Sequence, residues 1–262
     1  MELFRFENVS YTTLDKKFSL KNINWTINNF ENWIILGANG SGKTTLLKMI
    51  YGFIRPNETG CLYWRGELLP NLYELRKSIG FISNFIVEKI PHSEKVFDTV
   101  ISGRFAMLGY WEYAQPYKGI IEQAEQLLIK FNCAQFRDRE FTTLSQGERQ
   151  LIMLIRCLMA EPYLIILDEP CAGLDVKNRE FFLKNLAVIM QENKNIAFIF
   201  VTHHIDEIIK PFKKILMLKN GEIIKQGDID SELTEENLQL LFDIDLKLVK
   251  FKNRYSLIFE ED

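Results

Sequence analysis

The sequence predicts an α/β fold built on a mostly parallel, doubly wound sheet, and three observations lead there. Short apolar runs such as Trp33 to Leu36 and Tyr163 to Leu167 have the length and composition of strands buried on both faces. Each is followed by a segment whose apolar residues recur at helical spacing, and such alternation of strand and helix implies parallel pairing. A glycine-rich turn joins the first of these strands to its helix.

Taken in order, Leu3 to Val9 and Phe18 to Ile27 alternate apolar and polar residues as strands do. Trp33 to Leu36 runs straight into the turn Gly37 to Gly42. Leu46, Leu47, Met49 and Ile50 then repeat at helical spacing, and Gly52 with Pro56 closes that helix. Ile79 to Ser83 reads as another strand. From about Phe85 to Thr143 the character changes. Phe97, Val100, Ile101 and Phe105 fit one helix face, and Ile120, Ala124, Leu127, Leu128 and Phe131 fit a second, which marks a helical insertion between strands of the main sheet. A helix (Gln146 to Met159), a strand (Tyr163 to Leu167), a helix (Val176 to Met190) and a strand (Ile196 to Val201) follow. Lys219-Asn220-Gly221 between apolar flanks is a hairpin signal, and a second surrounds Lys252-Asn253-Arg254.

The chain has 262 residues, enough for one large domain or two modest ones sharing a core. A formal charge of −3 provides no global basic field, which argues against sequence-independent binding of nucleic acid. No apolar run reaches the roughly 18 to 20 residues that cross a bilayer; the most apolar helix, Leu151 to Met159, is interrupted by Arg156. The first ten residues carry acids and lack the apolar centre of a secretion signal. Cys61, Cys133, Cys157 and Cys171 are scattered without metal-ligand spacing, as expected of reduced thiols in a cytoplasmic protein.

The chemistry concentrates at strand ends. Gly37-Ala38-Asn39-Gly40-Ser41-Gly42-Lys43-Thr44 fits the pattern GxxxxGK[ST] between strand and helix, a phosphate-binding loop. Its glycines let consecutive backbone N–H groups curve around phosphates, and the helix beginning near Lys43 points its positive end at them. Lys43 supplies charge for the β- and γ-phosphates, and the Thr44 hydroxyl is a natural Mg²⁺ ligand. Tyr163 to Leu167 ends in Asp168-Glu169, two acids at the edge where such sheets bind ligands. Asp168 is placed to orient Mg²⁺, and Glu169 to act as general base toward the attacking water. At the end of a third strand, His203 is a candidate for the γ-phosphate, whereas His204 reads as structural.

These residues resemble the ATP-binding subunits of ABC transporters over almost the whole chain. Leu144-Ser145-Gln146-Gly147-Glu148-Arg149-Gln150 is similar to the family's LSGGQ signature, with Gln146 in place of the first glycine and Glu148 in place of the glutamine. The resemblance implies a P-loop NTPase with a mostly parallel core sheet, an N-terminal antiparallel β-subdomain and an inserted α-helical subdomain. Residues 1–84 and 160–262 would form the catalytic core, and residues 85–159 the helical subdomain carrying the signature. It implies ATP and Mg²⁺ as ligands, with ATP held by Tyr11 on adenine and by Gly37, Ala38, Asn39, Gly40, Ser41, Gly42, Lys43, Thr44 and Thr45. Ser145, Gln146, Gly147, Glu148 and Asp175 would act across a homodimer on the partner's ATP. Metal would be met by Thr44, Asp168 and Asn84, and Asn84 stands where the family usually carries a longer glutamine.

The same resemblance implies a peripheral subunit on the inner face of the membrane, driving an integral permease and binding no nucleic acid. Ser102-Gly103-Arg104, and the ending from Leu233 through Phe242, look like the metal-chelate and cobalamin importer branch. The glutamine-containing signature and Phe97 to Trp111 also look like a molybdenum-related branch. Uptake of a metal, metal chelate or related small solute is therefore expected. The alternative is a soluble ABC ATPase acting on nucleic acid or a macromolecular complex. Tyr110, Trp111 and Tyr113 could face a partner or pack in a core.

Overall fold

The computed structural model describes residues 1–13, 15, 17–68, 70–107 and 118–259. The aromatic group Tyr110, Trp111 and Tyr113 lies outside the described residues. The chain divides into two compact units, Met1–Leu75 with Asn193–Asp262, and Arg76–Glu192.

The first unit contains an antiparallel three-stranded sheet with Glu2–Thr12 between Phe18–Asn28 and Thr59–Trp64. Ile23, Trp25 and Ile27 are buried at alternate positions, the period-2 pattern of a half-buried sheet. The alternation slips between Leu20 and Ile23 and between Phe6 and Val9, where Asn22 (φ 47°) and Asn8 (φ 51°) adopt left-handed backbone and the register shifts. Asparagine tolerates that conformation, so these are bulges the sequence accommodates. Thr59–Trp64 escapes the sequence reading: it is short and mostly half-exposed, and Gly60 near its start weakens the strand signal.

In the same unit Ala197–Thr202, Asn32–Leu36 and Lys214–Lys219 form a parallel sheet in that order, with Glu222–Asp228 antiparallel at the edge. Every residue of Ala197–Thr202 is buried. Trp25 of the antiparallel sheet stacks on Phe6 (5.9 Å) and meets Trp33 of the parallel sheet edge-on (5.4 Å), joining the two sheets through one aromatic cluster. The hairpin predicted at Asn220-Gly221 is present as a two-residue turn, with φ 52° and 80° and Lys219 opposite Glu222. The terminal hairpin pairs Lys247–Phe251 with Arg254–Ile258, and its second strand contacts Ile205–Glu207.

The second unit pairs Ile79–Ile82 with Leu164–Asp168 in parallel. Its central helix, Gln146–Met159, packs on Ile79–Ile82, on Val96–Ser102 and on Val176–Glu192. Two glycines make this packing possible. A Cβ at Gly80 would lie 2.7 Å from Cys157 Cβ, and one at Gly103 would lie 2.0 Å from the Arg156 carbonyl oxygen. Ser102-Gly103-Arg104 is thus a packing joint. The Ser102 hydroxyl donates to the Thr99 carbonyl (2.7 Å) and accepts from Arg156 Nε (3.1 Å), while Arg104 pairs with Glu161 (3.2 Å). The bond to Ser102, with a second from the guanidinium to the Met107 carbonyl, lets Arg156 be buried in the apolar helix. Phe105, expected on the face of the preceding helix, instead ends a 3₁₀ turn, Gly103–Phe105. The four cysteines are free, and burial raises the thiols of Cys133 to about 12 and Cys157 to about 11, as packing side chains. No described helix is long and apolar enough to cross a membrane.

Candidate functional site

The glycine-rich loop of the first unit is held from three sides. A Cβ on Gly37 would lie 2.4 Å from the Leu218 carbonyl oxygen, and one on Gly42 (φ 107°) would lie 2.5 Å from the Ser19 carbonyl oxygen. Glycine is therefore dictated at both positions by the close approach of neighbouring backbone, and at Gly42 also by its left-handed torsion. The hairpin turn completes the clamp: Gly221 N–H donates to the Ser41 carbonyl (2.9 Å), and Lys21 N–H donates to the Gly221 carbonyl (2.7 Å). Thr45 Oγ1 lies 2.7 Å from Ser19 Oγ.

Within this cradle the Lys43 ammonium donates to the carbonyls of Gly37 (2.8 Å) and Ala38 (3.0 Å) and is almost wholly buried. The helix Lys43–Ile50 starts directly at Gly42, with no side-chain cap and no acid in its first turn, so its positive end is left for a ligand. The Ser41 hydroxyl is buried with no hydrogen-bond partner among the described residues. A buried polar orphan beside a lysine and an uncapped helix end is what a polyphosphate fits. Thr44 is exposed at the rim. Tyr11 pairs with Leu20, whose side chain would be 3.0 Å from a Cβ on Gly42, so the tyrosine strand borders the loop.

His203 and His204 follow Ala197–Thr202, with ring centroids 4.1 Å apart. His203 is half-buried and His204 exposed. The turn is fixed from beneath: the Thr202 hydroxyl bonds buried Glu207 and accepts from the His204 N–H (2.9 Å).

In the second unit Leu164–Asp168 delivers Asp168 and Glu169 to a strand end where both are half-buried. Glu169 has φ 48°, a left-handed torsion uncommon for a residue with a Cβ and one that collects at functional sites. Its carbonyl accepts from the Ala172 N–H (3.0 Å), and the Cys171 carbonyl accepts from Leu174 (3.1 Å), so the acid sits at the head of a tight turn. Asp175 then caps Val176–Glu192. Its carboxylate accepts from the Asn178 N–H (2.8 Å) and side-chain amide (2.9 Å). Those bonds hold the Asp175 carboxyl below its ordinary range, so the cap persists in mild acid and is lost as pH falls through that lowered value.

The signature residues form the start of Gln146–Met159. Ser145 Oγ accepts from the Glu148 N–H (3.3 Å) and the Glu148 carboxylate accepts from the Ser145 N–H (2.7 Å), a reciprocal capping box. The Ser145 hydroxyl proton is not used by that cap. Gln146 Nε2 donates to the Ala172 carbonyl (2.9 Å), a bond that sequence reasoning missed. Gly147 is buried against Asn178, which would be 3.2 Å from a Cβ there. Asn84 is exposed as the first residue of the one-turn helix Asn84–Val87, capped by Ser83. Among the described residues, no three His, Cys, Asp or Glu side chains group as a metal site, so any metal would need ligands beyond such a cluster.

A family profile described as ABC transporter matches residues 20–172, more than half the chain. The chain is 35% identical over 257 residues to the uncharacterized ABC transporter ATP-binding protein YlmA of Bacillus subtilis, covering 96% of this chain and 95% of that one. It is 32% identical to the molybdate import ATP-binding protein MolC of Haemophilus influenzae, covering 90% and 86% respectively. Among solved structures it is similar to cbiO1 of Clostridium perfringens, part of the ABC transporter complex cbiONQ, with a TM-score of 0.78 at 26% identity over 92% of this chain and 96% of that one. The chain belongs to the ATP-binding subunits of the ABC transporter family, a family of ATP-hydrolysing P-loop cassettes.

Proposed function

We propose that this chain is the motor of an importer for a metal, metal chelate or related small solute. It works as a homodimer on two ATP molecules, peripheral to the inner face of the membrane, and moves a separate integral permease. The observation that carries this reading is the phosphate cradle itself, glycine-lined, lysine-filled and opening on an uncapped helix end. Import is supported by the likeness to MolC, a molybdate import protein by name. Residues 85–159 serve as the helical subdomain that carries the signature.

The residues divide the reaction among them. Backbone N–H groups of Gly37 to Thr45 and the Lys43 ammonium bind the phosphates, and Tyr11 stacks on adenine. Ser145 and Gly147, with Glu148 and Asp175, act across the dimer, whereas the Gln146 side chain is engaged within its own chain. Glu169 takes a proton from the attacking water, and His203 positions that water. Thr44, Asp168 and Asn84 would hold Mg²⁺, which supplies charge neutralisation on the phosphates when bound.

Affinity purification of the tagged chain from native membranes, with mass spectrometry of what accompanies it, tests the reading. A multi-span membrane protein is expected. Recovery of nucleic-acid or ribosomal complexes without such a protein would overturn it in favour of a soluble ABC ATPase.

A further inference from the structure

Gln146 stands at the position where the signature pattern has glycine, and the structure gives its side chain a partner within the same unit. Its amide donates to the Ala172 carbonyl (2.9 Å), and it covers Gly173, whose Cβ would lie 3.3 Å from Gln146 Nε2. Ala172 in turn donates its N–H to the Glu169 carbonyl (3.0 Å), closing the turn that holds Glu169 in its left-handed torsion. A glycine at 146 has no side chain to make this tie. Asparagine would be too short by one methylene, and glutamate would present an acceptor to an acceptor.

We propose that Gln146 is a positioning residue for Glu169, a latch that links the start of the signature helix to the turn carrying the catalytic acid. The inference rests on the reading of Glu169 as general base. The left-handed torsion of Glu169 is intrinsically disfavoured, so the turn needs outside support to keep the carboxylate aimed. The bond from the Ala172 N–H to the Glu169 carbonyl provides part of that support, and the Gln146 amide fixes the carbonyl on the other side of the Ala172 Cα. Gly147, packed on Asn178, holds the same helix start beside the Asp175 cap. The side chain assigned from sequence to a trans nucleotide is thus engaged in cis.

Steady-state ATP hydrolysis by Gln146→Ala and Gln146→Glu decides the matter, read together with amide hydrogen exchange over residues 169–174. The position is exposed, and an acid in the first turn favours a helix, so the glutamate variant removes the donor while keeping size and fold. Both variants should lose about fivefold in kcat, as for one hydrogen bond acting on the reactive geometry, with KM for ATP within about twofold. Exchange at Ala172 and Leu174 should quicken in both. A rise in KM at unchanged kcat would overturn the inference, since Gln146 would then touch nucleotide directly. Wild-type kcat and exchange in either variant would also overturn it. If Glu169→Gln itself turned over normally, the parent reading would fail; if Glu169→Gln is inactive but both Gln146 variants hydrolyse normally, this inference alone fails.

Discussion

The phosphate loop and the signature turn are built by opposite means. The loop is held by backbone against backbone: Gly37 under the Leu218 carbonyl, Gly42 under the Ser19 carbonyl, Ser41 on the Gly221 amide. The signature turn is held by side chains, and the turn after Glu169 has side-chain ties added to its own backbone bonds: Ser145 with Glu148, Gln146 with Ala172, Asp175 with Asn178. Backbone clamps tolerate almost no added volume but are insensitive to polar chemistry. Side-chain ties accept changes of shape but are lost with a single donor. The first arrangement suits a rigid anion cradle.

The comparison is broken most severely at the acid. Glu169→Gln keeps the side chain's size and should leave ATP binding intact while lowering hydrolysis by about a hundredfold or more. Steady-state turnover beside equilibrium nucleotide binding measures this, and turnover within a factor of two of wild type removes Glu169 from the reaction. Gly37→Ala attacks the clamp. A Cβ 2.4 Å from the Leu218 oxygen forces the loop or the hairpin to move, and nucleotide affinity should fall by about tenfold to a hundredfold. Ala38→Ser in the same loop serves as the reference for a conservative exchange there. Asn84 gives the smallest effect. Asn84→Ala should lower turnover about threefold and shift the Mg²⁺ dependence, because a water-bridged metal contact is lost. Asn84→Gln should equal or exceed wild type, and an unchanged Mg²⁺ titration for Asn84→Ala takes the residue out of the metal site.

Much of this was legible in the sequence because it rests on local pattern. The helix Gln146–Met159 has the predicted bounds, and Asn220-Gly221 turns where its dipeptide says it must. The phosphate loop is legible because its glycine and lysine spacing is itself a local pattern, although the contacts that exclude a Cβ at Gly37 and Gly42 come from the distant Leu218 and Ser19. What escaped depends on distant residues. Thr59–Trp64 and the short helix Leu72–Lys77 carry weak periodicity, and partners elsewhere in the chain define the strand. Gly103 makes sense only once Arg156 is beside it, and no local signal marks a glutamate for a left-handed torsion. The bond from Gln146 to Ala172 spans 26 residues, and a signature read as a motif hides it.

We propose that the cradle of one chain is completed by the signature turn of another, through the Ser145 hydroxyl proton that the helix cap leaves unused. Light scattering of Glu169→Gln, alone and with saturating Mg-ATP, tests it directly. The nucleotide should double the 30.8 kDa protomer mass, and Ser145→Ala should weaken the doubling. A clean monomer with ATP bound, at tens of micromolar protein, would contradict it.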